Sequence, residues 1–480
     1  MAVVPTSQML PFLYMKLDAS GANTATDGGR TLLIGQKTSS GSATADAIQS
    51  VTSFEQAVEL FGEGSEAAFM AEGFFRNGGQ DLYMAGIADP SGGTAADVVC
   101  TVSGAPGEDG TLHMYVAGKY VPVALDASDA AADVAASIVD AVNAADNLPF
   151  TASAVAEVVT LTVRNAGDMG GTYRVHFNLN AGEEHTGSLA FALVYNAGSG
   201  SASLTGVIAN MGEDAYDYIG IPSGPGAADM GTELSDSSGR WSPTVGLYGH
   251  AVTYLQGSYS SLVAAIASSN DQHLTAMAWE DDAPTPGPYY LGAFMAVASL
   301  YLEDDPSRPL QTLKLEGVRG ASTRFTAAER NGLLLAGLGT CRVTQAGVVT
   351  IERARTTYTV NAVGAADNSY TDIQVLALAW HVFRALESAI TTKYARVKLV
   401  DDDTRLSPGQ AAITPSLAKG TILAVYSELA YKGWVEDVKG FASSLIVERN
   451  ATDPNRLDAT IRANFANQLR IFTILNTFIR

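Results

Sequence analysis

A chain of 480 residues with 47% hydrophobic side chains and a positive mean hydropathy has material for about three packed domains and is not disordered. No apolar run approaches the roughly 20 residues that span a bilayer, and the start, MAVVPTSQMLPFLYMK, has no basic leader before an apolar block, so folding in the cytosol is expected. Charge is divided unevenly: residues 1 to 300 carry 8 Lys and Arg against 32 Asp and Glu, and residues 301 to 480 carry 21 against 18, which argues against a nucleic-acid binder and for two parts in different surroundings.

The chain begins with a segment that has no helical pattern. Pro5 and Pro11 flank it, Phe12, Leu13, Tyr14, Met15, Lys16 and Leu17 read as a short strand, and a Gly/Ser/Thr-rich linker follows from Asp18 to Gly29. Residues 1–29 are therefore read as an N-terminal arm and linker. Folding proper starts with the buried-strand run Thr31 to Ile34. A helix opened by Ser53, with Gln56 completing a capping box, carries Phe54, Val58 and Phe61 on one face, and Gly62 stops it. A helix from about Glu66 to Phe75 and a strand from Asp81 to Ile87 complete the first part of an α/β core, residues 30–89.

From Pro90 to Gly206 aromatic residues thin out and Ala and Gly rise. Strands are expected at Thr111 to Val116, Tyr120 to Leu125, Val158 to Val163, Tyr173 to Leu179 and Leu189 to Tyr195, with an Ala-rich helix from Asp129 to Asn143. Gly-rich tracts on both sides mark residues 90–206 as an inserted β-rich domain whose ends lie close together. The α/β pattern resumes over residues 207–460: strands at Ala215 to Pro222 and His273 to Ala278, a core helix from Pro288 to Tyr301, a loop and strand over 304 to 318, and a capping box at Thr326 and Glu329. Strands follow at Gly347 to Arg353 and Arg355 to Thr359. Asp372 to Lys393 has the clearest helical period, with Ile373, Leu376, Trp380, Phe383, Leu386 and Ile390 spaced by three and four. A last helix, Pro415 to Leu429, precedes a strand at Phe441 to Glu448.

Few residues point to chemistry. GPGAADMG (224–231) follows a strand but lacks the Gly-x-Gly-x-x-Gly order, and there is no GxxxxGK[ST], so a plain turn is expected. Asp401, Asp402 and Asp403 read as a solvated loop. The six histidines (His113, His176, His185, His250, His273 and His381) show no pair at ligand spacing, Cys100 and Cys341 read as free thiols, and no GxSxG is present. No catalytic, cofactor-binding or metal site is expected.

The most informative stretch is the last. From Leu469 to Ile479 apolar residues occupy both parities: Leu469, Ile471, Phe472, Ile474, Leu475, Phe478 and Ile479, with Thr473 and Thr477 between them. Chain ends fray unless something ties them down, so such an end must dock. Its periodicity fits either a strand added to a sheet edge or a closing amphipathic helix. Just upstream, Arg449, Asn450, Asp453, Pro454, Arg456 and Asp458 form a charged turn. Two readings of it stand side by side. In one, Asp453 caps a helix with Pro454 at its first position; in the other, the group also fixes the exit angle of the arm, residues 461–480.

The segments IVERN (446–450), DPNRLD (453–458) and NQL (467–469) resemble the contractile-tail sheath proteins of Mu-like phages. So do DDPSRPLQTL, FTAAERNGLL, VTIERARTTYT, GAADNSYTDI and KYARVKLVDDD, and Ala127 to Gly171 resembles the inserted domain of that family. The similarity covers nearly the whole chain and is most specific in the last 200 residues, with a C-terminal sheath domain from about 288. It favours the strand reading of the arm. It implies an α/β core (mixed sheet with helices) with an inserted β-rich domain and extended N- and C-terminal arms. In function it implies a non-enzymatic virion subunit, assembled in the host bacterial cytoplasm into stacked hexameric rings around a tail tube, which contracts without nucleotide. Implied partners are copies of itself, the tail tube protein, and baseplate and tail terminator proteins, with no nucleic acid, membrane or cofactor. A phage-derived bacteriocin or secretion-type sheath, and a nucleotide-dependent α/β enzyme, stand as alternatives.

Overall fold

The computed structural model describes residues 29–184, 187–405, 407 and 409–478. It begins with β1 (Thr31–Gln36), buried along its whole length, as a strand covered on both faces must be. There follow β2 (Ile48–Val51), α1 (Phe54–Phe61), α2 (Glu66–Arg76) and β3 (Leu82–Ile87). The Ser53 hydroxyl accepts the Gln56 N–H at 3.2 Å, while the Gln56 side chain accepts from the Thr52 N–H at 2.8 Å. The reciprocal half of the expected box is thus displaced by one residue.

The chain then makes an excursion through β4 (Ala95–Ser103), β5 (Gly110–Val116), β6 (Lys119–Leu125), α3 (Ala131–Ala144), β7 (Phe150–Val155), β8 (Val158–Ala166), β9 (Val175–Phe177) and β10 (Ala190–Asn196). These strands pair only among themselves, in a sheet ordered β10-β4-β8-β7 and another ordered β6-β5-β9. Antiparallel pairing with one face covered gives β8 a strict alternation of burial, and α3 turns Val134, Ala135, Ile138 and Val142 inward. Reciprocal bonds between Thr94 and Ser199 (3.1 and 3.0 Å) bring the two ends of the excursion together.

On its return the chain forms α4 (Thr205–Met211), β11 (Tyr218–Gly220), α5 (Gly226–Glu233), β12 (His250–Gly257), α6 (Tyr259–Ile266), β13 (Leu274–Glu280), α7 (Gly287–Asp304), α8 (Ala327–Leu335), β14 (Leu338–Val343) and β15 (Val349–Arg353). The large sheet runs β15-β14-β13-β12-β11-β1-β3-β2, parallel within and antiparallel where β2 and β15 close its edges. Helix α7, buried on nearly all sides, crosses α2 with backbones in contact: a Cβ at Gly292 would lie 1.9 Å from the Met70 carbonyl oxygen. Only glycine permits that approach.

Three sequence expectations fail in this part. GPGAADMG opens helix α5, with Gly224 at φ +136°, and is not a plain turn. Arg355 to Thr359 forms no strand: it is held by isolated bridges from Arg355 to Asp372 and from Thr356 to Thr275 at the start of β13. Residues 304 to 318 contribute one bridge, Lys314 to Thr350, and no strand.

The last part contains α9 (Ile373–Tyr394), β16 (Lys398–Leu399), β17 (Ala412–Ile413), α10 (Pro415–Tyr431), β18 (Val435–Glu436), α11 (Val438–Ser444), β19 (Ile446–Arg449), β20 (Leu457–Thr460) and β21 (Asn464–Phe465). By length and composition α9, the helix expected from Asp372 to Lys393, alone among the described residues could cross a membrane, against the expectation that no apolar run is long enough. Its first three turns are buried against the body, as in a core helix. Further along, Leu378 and Val382 meet Ile422, Tyr426, Leu429 and Phe441 in a second core, where the Tyr426 and Phe441 rings stack at 3.6 Å. Phe441 therefore belongs to α11, and the strand expected from it begins only at Ile446.

Where the excursion meets the body lies a buried polar joint. The Gln36 N–H donates to the Glu66 carboxylate at 2.9 Å, the Glu66 N–H donates to Asn165 at 3.2 Å, and Asp89 accepts from Gln36, Asn165 and the Ala166 N–H. Burial pushes the Glu66 carboxyl up from 4.5 to about 8, against the Gln36 bond and with help from the charges of Asp168 and Asp89. The protonated form is thus favoured in the fold. Its contribution is complete below about pH 4.5 and is lost as pH rises towards about 8, because the unfolded chain ionises first. Urea titrations should find Glu66→Gln matching the parent at pH 4 and more stable by about 3 kcal/mol near pH 7. A difference that does not change with pH would refute this assignment.

Candidate intersubunit interface

The C-terminal segment leaves the body in stages. Strand β21 pairs with β18, and the Ala466 N–H donates to the Trp434 carbonyl at 3.0 Å. The Gln468 amide then reaches the Ser307 carbonyl at 3.1 Å. Next, Arg470 turns its guanidinium inward, to Asp372 at 3.2 Å, Gln374 at 3.3 Å and Gln311 at 3.5 Å. Beyond that point Ile471, Phe472, Thr473, Ile474, Leu475 and Phe478 are exposed. Relative exposure of the apolar side chains runs from 69% at Leu469 to 88% at Leu475. Residues 466–478 form neither helix nor paired strand. So dense a run of exposed large apolar side chains is a feature of interaction sites.

Phe12, Leu13, Tyr14, Met15, Leu17 and Ile479 lie outside the described residues. The first described residue, Gly29, donates its N–H to Glu303 at the end of α7. The N-terminal segment thus joins the body four residues from Ser307, the anchor of Gln468.

The charged group upstream is a hairpin. Strands β19 and β20 pair antiparallel, with Arg449 opposite Leu457. Asn450 accepts the Thr452 and Asp453 N–H groups at 2.8 Å each and donates to Asp458 at 2.6 Å, and Asp453 accepts from the Asn455 N–H at 2.9 Å. Arg449 spans the turn to the Pro454 carbonyl at 2.7 Å and reaches Asp401 at 3.0 Å, and Arg456 pairs with Asp458 at 2.6 Å. Asn450 and Arg456 together hold the Asp458 carboxyl below its ordinary value. The helix cap expected at Asp453 and Pro454 does not form; side chains that bond their own backbone two or three residues on favour a turn. Among the described residues the hairpin has two strands only, so both outer edges lack a ladder partner.

Several residues singled out for chemistry have structural partners. Asp401 takes Arg449, and Asp402 accepts the Ser416 N–H at 3.0 Å as α10 begins. His273 lies between Asp236 and Asp271, His250 bonds Thr275 at 2.8 Å, and His381 faces Glu303. Cys100 and Cys341 are both free. His185 is outside the described residues. What the sequence reading overlooked is Arg470, the one charged residue between Leu469 and Ile479, and that interruption of the apolar run was a usable signal.

Residues 197–357 match the phage tail sheath protein central domain, and residues 365–479 match the phage tail sheath C-terminal domain. Over 99% of its length the chain is 30% identical to the Mu-like prophage FluMu tail sheath protein of Haemophilus influenzae, covering 98% of that protein. The chain belongs to the phage tail sheath family. As a tail sheath protein it is a structural component of the contractile phage tail, and the Mu-like resemblance of the sequence is sustained. A chain of the contracted baseplate of the anti-feeding prophage aligns with a TM-score of 0.50 at 13% identity, over 98% of this sheath protein and 99% of that chain, so the two share a fold.

Proposed function

We propose that this sheath protein polymerises as stacked hexameric rings around a tail tube, with the two terminal arms of each subunit added as strands to open sheet edges on its neighbours. The observation that carries the reading is the exposed apolar segment beyond Arg470. Its eight described residues span about 26 Å when extended, at roughly 3.3 Å per residue, which reaches well into an adjoining subunit. Its large side chains contribute roughly 1.5–3 kcal/mol each when covered. The unpaired edges of the β19–β20 hairpin suit such a strand, and Arg449, Asn450, Asp453, Pro454, Arg456 and Asp458 stiffen the turn behind it.

In this reading the body performs no catalysis and uses no nucleotide or other cofactor. Contraction is a change between two packings of the same subunits, started at the baseplate, with the arms keeping the lattice connected while the bodies rotate. The body divides into residues 30–89 and 207–460, with residues 90–206 as an outward-facing insertion. The last part, with its surplus of base, lies nearest the tube. The tube protein, baseplate and tail terminator are the further partners, and assembly takes place in the host bacterial cytoplasm. Negative-stain microscopy of the concentrated full-length protein should show tubes or stacked rings of uniform diameter. Single particles at every concentration would overturn the reading.

A further inference from the structure

Arg470 lies between two side chains that face solvent, Leu469 and Ile471, yet its own side chain is only 14% exposed. It ends beside an aspartate that already has a partner. Arg353, at the end of β15, holds both oxygens of Asp372 at 2.7 and 2.9 Å, whereas Arg470 reaches one of them at 3.2 Å. Gln374 and Gln311 accept from the same guanidinium, and Gln468 steadies it from within the segment. Asp372 is also the residue at which α9 begins. The root of the segment is therefore tied where the edge strand of the large sheet meets α9.

We propose that Arg470 is the positioning residue of the C-terminal arm: a latch that shares Asp372 with Arg353 and fixes the point from which the free strand leaves its subunit. The proposal rests on the strand reading above and adds where the strand starts and what sets its grip. A two-oxygen fork outcompetes a single contact for one carboxylate, so Arg353 weakens the latch. The grip is firm enough to set direction and weak enough to yield when a neighbour pulls the arm.

Backbone hydrogen exchange on the full chain, below its polymerising concentration, tests this. Arg470→Ala should speed exchange of the Ala466 N–H, which donates to the Trp434 carbonyl at the root of the segment, by about tenfold to a hundredfold, the range expected for losing a charge-assisted hydrogen bond, with β12 and β13 unchanged. Arg470→Lys, which keeps the charge and loses the planar guanidinium that reaches Gln374 and Gln311 as well as Asp372, should fall between Ala and parent. Arg353→Gln should do the opposite and slow exchange of the Ala466 N–H, because Asp372 becomes available to Arg470 alone. A merely structural arginine at 353 would speed it. Unchanged exchange in Arg470→Ala, or faster exchange in Arg353→Gln, overturns the latch; β12 and β13 report separately whether either variant has lost its fold. If a chain lacking the arm still made tubes while these exchange shifts held, the strand reading would fail and the latch would stand.

Discussion

A chain ending at Arg470 should fold, remain monomeric and make no tubes at concentrations where the full-length protein does. The residues removed bury almost nothing on their own subunit: Ile471, Phe472, Ile474, Leu475 and Phe478 are each at least 76% exposed. Surface deletions of that kind change stability by about 0.5 kcal/mol or less, so urea midpoints should hardly move. Assembly is different. Even if half the covered area is lost to the cost of ordering the arm, several kcal/mol per subunit remain, and every 1.4 kcal/mol is tenfold in an association constant. The concentration needed for polymerisation should rise by at least about a thousandfold. Ending at Arg470 keeps the anchors through Ala466, Gln468 and Arg470, so any loss of assembly belongs to the strand and not to its root. Sedimentation velocity combined with negative-stain microscopy measures both sides. Tubes from the shortened chain at the parent's concentration would mean that the arm is not what joins the subunits.

Replacing Arg384 by alanine should cost about 3–5 kcal/mol of stability. Arg384 projects from the later turns of α9 and meets both oxygens of Asp217 at 2.6 Å, just before β11. The aspartate side chain is 2% exposed. Removing the guanidinium leaves a buried carboxylate without its hydrogen-bonded ion-pair partner, and that, more than the loss of the attraction itself, sets the size of the effect. Of the 5–15 kcal/mol that typically holds a domain, this is a large share. The pair also ties α9, and through it α10 and the hairpin, to the large sheet. The double variant Asp217→Asn with Arg384→Met should recover most of the loss, since the pair's desolvation is then avoided. Urea unfolding with an unchanged slope would register both results. A loss under about 1 kcal/mol in Arg384→Ala would show that solvent already screens the pair.

Elements with strong local signals were legible before any coordinates. β1 reads as a buried run, α9 steps by three and four, and Thr326 with Glu329 forms the reciprocal cap that its spacing predicts. Weak local signals went unread. β4, β7 and β2 are short or mix Ala, Ser, Asp or Gln among their branched and aromatic residues, and they are strands because neighbouring strands supply the ladder. β12 lies inside the large sheet and is not among the strands expected from sequence. The turn after Asn450 stays open between its two readings in the sequence because Asp-Pro is a helix start as readily as a turn, and the pairing of β19 with β20 removes the helix.

By itself the amino-acid sequence determined the kind of protein this is and the apolar character of its last segment, since composition and short-range pattern are properties of neighbours along the chain. Only the tertiary structure decided which charges meet. Asp217 and Arg384 are 167 positions apart, Gln374 and Arg470 are 96 apart, and Asn165 reaches Glu66 across 99. No local pattern encodes such pairs, because each exists only where the packed body excludes water and leaves a buried polar group one available partner.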